Sequence, residues 1–394
     1  MRIAIDAGTW RNGRGFGRFT RELVSALLRT RQGHEFILLF DQLPADAMPC
    51  AAIAVKPRRE IAQAAVADDH RDIADMLRFT RAARATGAEL LFYPAVYSWF
   101  PPPTRMANVV TVHDAIAEKF PHLVFPKLLP RIRWRTKIWM ATRAATRVLT
   151  VSRAAADDVA RHMKVPANCI DLTTEGPGSA FSPAPSMAEA EANRARIGAA
   201  FGIPPKANYF CYVGGFAAHK NVSSVIRAFS RVATTDLWLL LVGDPHSQGF
   251  GSLIGELQSL IASLPDVRER IRFTGFVDDL TLRDIYRTAL ALVMPSLDEG
   301  FGLPAVECIA CGTPVIASDR GALPEVVGPA GTCCSPLEID ALASCMRRAA
   351  QDSTWWQECR SECATQALRF TWDRAAAMTL EAFERTAATA TGAT

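Results

Sequence analysis

Short apolar runs alternate with longer mixed segments along this chain of 394 residues. The runs at 2–6, 35–40, 89–93, 108–112 and 147–151 are strand-length and rich in Ile, Val and Leu. They lack strict apolar–polar alternation, which marks strands covered on both faces. Segments 17–31 and 69–86 place apolar residues at helical spacing. The pattern pauses at 175–185, where Gly176, Pro177, Gly178, Pro183 and Pro185 give loop composition. It resumes with strand-length runs at 209–213, 237–242, 271–273, 290–294 and 314–317. The prediction is an α/β protein of two doubly wound, Rossmann-like domains with parallel sheets, spanning 1–180 and 181–370. A last helix at 372–386, within a segment 371–394 too short to be a domain, is expected to pack back on the first. Such sheets bind ligands outside the carboxyl ends of their strands. Two of them facing each other would enclose an interdomain cleft.

Length supports two domains, because a single core stops growing well below this size. Apolar residues make up 49% and charged residues 21%, an ordinary globular balance. A net charge of +4 does not by itself imply nucleic acid, and no nucleic-acid partner is expected. Cys308 and Cys311 have C-x-x-C spacing and Cys333 adjoins Cys334, yet no second pair or His set completes a metal site. The ten cysteines read as apolar filling in a reducing compartment. The opening residues read as a strand and not as a signal peptide, and no apolar run is long enough to span a bilayer. A cytoplasmic location follows, with room for peripheral contact at the inner face of the membrane.

The most informative segment runs from Leu290 through Met294, Glu299, Gly300, Phe301, Gly302, Leu303 and Pro304 to Glu307. A strand ends near Met294, a glycine turn follows, and Pro304 suits the first position of a helix. The open amides at that helix start favour an anion such as a diphosphate. Glu299 and Glu307 would repel phosphate but can each accept from a pair of hydroxyls. A nucleotide sugar carries hydroxyls on both sides of its diphosphate, so the spacing fits that ligand. Gly214 and Gly215 end another strand, and Lys220 follows as a cation for phosphate. In the first half, His113 follows the 108–112 strand. The turn at 12–18 holds Gly13, Gly15 and Gly17, which do not make the dinucleotide fingerprint.

Together these residues resemble the retaining glycosyltransferases of family 4, which have the two-domain GT-B fold. The similarity covers nearly the whole chain. Its specific part is Glu299 to Glu307 around Gly-Phe-Gly-Leu-Pro; it also includes 15–23, Thr-Val-His-Asp at 111–114, Thr-Val-Ser-Arg at 150–153, His-Lys-Asn at 219–221 and Phe-Thr-Trp-Asp-Arg at 370–374. The resemblance implies that Glu299 lies by the transferred sugar and Glu307 holds the ribose. Amides of Gly300 to Leu303 and Lys220 would take the diphosphate. His113 would contact the sugar, and Gly15 and Gly17 would shape a loop over it. One departure stands out. Many members carry an Arg one or two positions after the glycine matching Gly214, where this chain has Gly215 and Phe216. Phosphate neutralisation then falls to Lys220 with amides, or to an Arg such as Arg18. The implied chemistry is metal-independent hexosyl transfer with retention, without a cofactor beyond the donor substrate. GDP-mannose is favoured over UDP-sugars, because the opening and His-Asp segments look like bacterial mannosyl- and rhamnosyltransferases of polysaccharide assembly.

Residues 127–147 hold Lys127, Arg131, Arg133, Arg135, Lys137, Arg143 and Arg147, interleaved with Trp134, Ile138 and Trp139, and no acid. A basic, Trp-bearing helix suits an anionic membrane surface, and a solvated face or partner patch is the other reading. The acceptor is expected to be a saccharide, lipid-linked if the membrane reading holds. Two competing functions are a two-domain NAD-dependent dehydrogenase, for which Asp41 after the second strand would hold ribose, and a catalytically silent GT-B module. The glycine spacing and the two glutamates disfavour the first, and the intact motifs disfavour the second.

Overall fold

The computed structural model describes residues 1–13, 15–30, 33–57, 71–125, 127–244 and 253–391. Thirteen strands are present among them: β1 Arg2–Asp6, β2 Glu35–Phe40, β3 Ala51–Ala54, β4 Leu90–Tyr93, β5 Ala107–Thr111, β6 Arg147–Thr150, β7 Ile170–Leu172, β8 Asn208–Val213, β9 Leu237–Val242, β10 Ile271–Gly275, β11 Ala291–Met294, β12 Val315–Ser318 and β13 Gly331–Cys334. They form two sheets, ordered β3-β2-β1-β4-β5-β6-β7 and β10-β9-β8-β11-β12-β13. Every pairing between these strands is parallel. In each sheet the order grows outward from the first strand and then restarts on its other side. The reversals lie between β1 and β4 and between β8 and β11. These are the crevices where open α/β sheets take ligands.

Burial explains the sequence pattern. All six residues of β9, Leu-Trp-Leu-Leu-Leu-Val, are buried, because helices cover both faces. Phe210, Leu239, Leu241, Val293 and Ile316 join the core of the second sheet. The strands that the sequence reading missed are β3, β7 and β13, and each sits at a sheet edge. β3 is Ala-Ala-Ile-Ala with little burial, too weak an apolar signal to register. The helix Gly15–Thr30 buries Phe19, Leu23, Val24 and Leu27 along one stripe. Asp72 caps the helix Ile73–Ala85 by accepting from the Asp75 amide at 2.7 Å. The sequence placed that helix from 69, and residues 69 and 70 lie outside the described residues, as does Arg31 at the end of the first predicted helix.

The chain divides at Glu175 and Gly176, inside the Gly/Pro-rich stretch, into two compact units. The helix Trp372–Thr391 belongs to the first. Phe383 lies 5.0 Å from Phe92, centroid to centroid, and Arg385 pairs with Asp171 at 2.9 Å. Thr173 donates to the Ala375 carbonyl at 3.1 Å.

Candidate active site

In the second unit the loops leaving β8 and β11 meet at the strand-order reversal. The Leu297 amide donates to the His219 carbonyl at 2.8 Å, joining the two loops. Lys220 ends a short 3₁₀ turn, Ala218–Lys220, and its Nζ donates to Glu299 Oε1 at 2.7 Å. Ser296 Oγ donates to the same oxygen at 2.7 Å. Asn221 follows in the left-handed region at φ 53°. Its Nδ2 donates to the carbonyls of Pro295 at 3.1 Å and Pro336 at 2.8 Å, and Ser224 Oγ donates to its Oδ1 at 2.8 Å. A left-handed non-glycine residue is costly, and Asn is among those that tolerate it. Here two carbonyl bonds from separate loops hold the strained turn that presents Lys220.

Electrostatics follow from this packing. Burial pushes the Glu299 carboxyl up, but the Lys220 ammonium, its hydrogen bond and the Ser296 hydroxyl outweigh that and hold it below its ordinary range. His219 is lowered to about 4 by burial and by the adjacent ammonium, so it is neutral near pH 7. The result is an ion pair whose carboxylate stays ionised across the physiological range. The Lys220 side chain is 25% exposed and Glu299 9%. The ammonium has hydrogens to spare for a ligand.

Gly302 caps the helix Leu303–Ala310 at φ 102°. A Cβ there would come within 2.8 Å of Leu323 Cδ2, so the turn requires glycine on two counts. The helix begins at Leu303, which puts Pro304 at its second position and not the first. The missing proline N–H still costs nothing there, because the first four amides have no helical partner. Gly300 and Phe301 lead into this turn. The Phe301 ring is buried edge-on against Phe370 at 5.5 Å, so only its backbone faces a ligand role. Glu307 is also buried and receives the Tyr286 hydroxyl at 3.4 Å.

Gly214 follows β8 at φ 150°, and its amide donates to the Val242 carbonyl at 3.0 Å. The two following positions differ in kind. Gly215 is exposed, and a Cβ there would meet nothing within 4 Å. Phe216 is buried, packing on Tyr212 and edge-on to Phe273 at 5.5 Å. At position 216 the aromatic has been absorbed by the core, whereas position 215 is open to a longer side chain.

The other predicted residues lie in the first unit. His113 follows β5. Its Nε2 lies 3.0 Å from the Pro94 carbonyl, which can only accept, so that nitrogen carries the hydrogen. Nδ1 is 3.5 Å from Glu175 Oε1, and Phe19 meets the ring edge-on at 4.5 Å. A sugar hydroxyl would reach a ring nitrogen by displacing one of these partners. Gly15 starts its helix, and Gly17 is obligatory, since a Cβ would lie 2.1 Å from the Asn12 carbonyl oxygen. Asp41 pairs with Arg71 Nη1 at 2.7 Å, and both are buried. It is spent on that ion pair, which removes the ribose-binding acid a dehydrogenase would need. The cysteines are free, and burial pushes Cys311 up to about 12, an inert thiol. Among the described residues no helix is long and apolar enough to cross a membrane.

Sequence reasoning missed Ser296 and Tyr286, and held Asn221 only as part of the His-Lys-Asn likeness. Asn after the His-Lys pair carried a usable signal, since it is a residue that accepts the left-handed turn. Nothing local marked Tyr286.

Comparison with known proteins agrees with the fold. The family model for glycosyltransferase family 4 matches residues 13–174, and that for glycosyl transferases group 1 matches 193–369. An O-antigen chain mannosyltransferase B of Escherichia coli is 27% identical over 388 residues, covering 94% of this chain and 96% of that protein. The sucrose-phosphate synthase of Thermosynechococcus elongatus superposes with a TM-score of 0.75 at 21% identity, over 98% of both chains. Anabaena Alr3699/HepE, solved in complex with UDP and glucose, gives 0.74 at 17%, over 98% of this chain and 100% of its own. With two parallel Rossmann-like sheets and a matching family model on each half, the chain belongs to the family 4 glycosyltransferases of GT-B fold.

Proposed function

We propose that this glycosyltransferase moves a mannosyl group from GDP-mannose to a saccharide acceptor, with retention at the anomeric carbon and without a metal ion. The observation that carries the reading is the Lys220–Glu299 pair at 2.7 Å, set beside the open start of the helix Leu303–Ala310. In this reading the amides of Gly300 to Leu303 and the Lys220 ammonium stabilise the charge that builds on the leaving diphosphate. Glu299 gives Oε1 to Lys220 and Ser296, and Oε2 accepts from a hydroxyl of the transferred sugar. Glu307 accepts from the ribose. The departing phosphate oxygen takes the acceptor's proton, so no protein nucleophile is needed. The mannosyl preference rests on the name of the E. coli relative, and a polysaccharide acceptor follows from the same likeness.

Thermal-shift titration with GDP, UDP and dTDP tests the donor site. GDP at about 100 times its Kd should add roughly 2.7 kcal/mol of stability. Incubation with GDP-mannose and a mannosylated acceptor should then give an α-linked product by NMR. Failure of all three nucleotides to shift the transition counts against the site itself. A UDP or dTDP response in place of GDP counts against the mannosyl reading alone.

A further inference from the structure

The edge strand β13 ends in adjacent cysteines, Cys333 and Cys334, and the helix Ile339–Gln351 packs back on it with a third, Cys345. That helix buries Leu342, Ala343, Met346 and Ala349, and Cys345 stands about 60° round from Leu342, beside the buried stripe. Thr332 and Cys334 share one face of the strand, and Cys333 takes the other. Cys334 and Cys345 border the same core and are both partly exposed. The Cys334 thiol donates to the Cys345 sulfur, and the Thr332 hydroxyl donates to it as well. The bond from Cys334 pulls the Cys345 thiol below its ordinary value, helped by Thr332 and by Arg348 one turn on, and opposed by burial. The same bond, with burial, pushes Cys334 up. The segment between the two thiols also serves the candidate site. Two residues after Cys334, the Pro336 carbonyl accepts from Asn221 Nδ2 at 2.8 Å, and Asn221 closes the turn that presents Lys220.

We propose that Cys334 and Cys345 are a peroxide-sensitive pair whose disulfide loosens the Lys220 turn. The Cys345 thiolate attacks hydrogen peroxide and breaks its O–O bond. One oxygen stays on sulfur as the sulfenic acid, and the other leaves as hydroxide and takes a proton to become water. The charge that held the Cys334 proton is then gone. The Cys334 sulfur displaces the sulfenic oxygen, which leaves with the Cys334 proton as a second water. Two thiols have lost two electrons and two protons, and one peroxide has become two waters. The new bond draws the sulfurs to about 2.0 Å and pulls the end of β13 toward the helix. Pro336 lies inside the loop so closed. Its carbonyl moves off Asn221 Nδ2 and leaves the Pro295 carbonyl alone to hold the left-handed turn. The consequence for nucleotide binding rests on the donor site proposed above, whereas the disulfide and the loosened turn do not.

The test treats the full chain with hydrogen peroxide and follows it by non-reduced peptide mapping, amide hydrogen exchange and GDP titration. A Cys334–Cys345 linkage that dithiothreitol reverses is expected in wild type and in Cys333→Ser, and in neither Cys334→Ser nor Cys345→Ser. The Asn221 and Ser224 amides, bonded to the Ala218 and Asn221 carbonyls at 3.1 and 3.0 Å, should exchange about five-fold faster in oxidised wild type, the loss of one hydrogen bond. GDP should bind about five-fold more weakly, and peroxide should change neither quantity in Cys345→Ser or Cys334→Ser. Having both variants keeps the control if one of them folds poorly. A linkage through Cys333, oxidation of Cys345 to the sulfinic acid with no linkage, or a Cys334–Cys345 linkage that leaves exchange at 221 and 224 unchanged would each overturn the proposal. If GDP fails to bind the reduced protein, the donor reading falls, while mapping and exchange still decide the disulfide.

Discussion

Lys220→Met removes one ammonium from beside Glu299 and keeps the aliphatic stem. The 2.7 Å contact and the 9% exposure of Glu299 set the scale. Breaking a fully buried pair costs about 3–5 kcal/mol. Because Lys220 is a quarter exposed and Ser296 still serves the carboxylate, a loss of about 1–2 kcal/mol is expected. The pH dependence should change sign. In the wild type the Glu299 carboxyl is held below its free value of 4.5, so its contribution is complete above that pH and fades as pH falls through the folded value. In the variant burial is left largely unopposed, and the carboxyl rises above 4.5. Its ionisation then opposes folding, and the variant's deficit should shrink on going from pH 8 to pH 5. For the chemistry, removing a preorganised cation at a developing phosphate charge costs about 10²–10³ in kcat. Calorimetric melting at the two pH values and a radiolabelled transfer assay read both effects. A variant with kcat within a factor of three of wild type would falsify the assignment of Lys220 to the diphosphate. A deficit that grows toward pH 5 would refute the electrostatic account of the pair.

Gly215→Arg should tighten GDP binding by about tenfold, since one charge-assisted contact is worth about 1.5 kcal/mol and the position is open; isothermal titration measures it, and no gain would move the diphosphate elsewhere. Phe216→Arg should instead bury a guanidinium beside Tyr212 and Phe273 and lower stability by about 3 kcal/mol or more in denaturant unfolding. Asn221→Gly keeps the left-handed turn but loses the bonds to Pro295 and Pro336, whereas Asn221→Ala loses both. Activity should fall in both, with alanine about 1 kcal/mol less stable than glycine. Gly302→Ala must strain φ and press Leu323, so a cost of about 1–3 kcal/mol is expected, seen as a lower melting temperature and weaker GDP binding.

Most of the fold was legible because doubly covered parallel strands leave plain apolar runs. β1, β2 and β9 have the bounds the sequence gives them. The edge strands were not legible, since β3, β7 and β13 are short and half-covered and their residues need not be uniformly apolar. The site divides along the same line. Glycines, helix-start proline and flanking glutamates are local and stood out. The Lys220–Glu299 contact joins residues 79 apart, and the pairing of Tyr286 with Glu307 depends on two helices meeting. Periodicity carries no information about such meetings. The basic helix shows a further limit. Its two faces are similarly apolar, so only solvent exposure distinguishes the buried stripe from the outward one.

The helix Trp372–Thr391 has a consequence for how the protein is made. It supplies Phe383 against Phe92 of β4 and Arg385 against Asp171 of β7, and its Trp372 meets Phe19 edge-on at 5.9 Å. A ribosome delivers those partners only after translating the entire second unit. The first unit therefore waits, unfinished, through some 200 residues of synthesis, exposing the sheet face that this helix will cover. The second unit has no such debt and can fold as it emerges. Order of birth and order of completion are reversed, so the nascent first half is the stage at which a chaperone has most to shield.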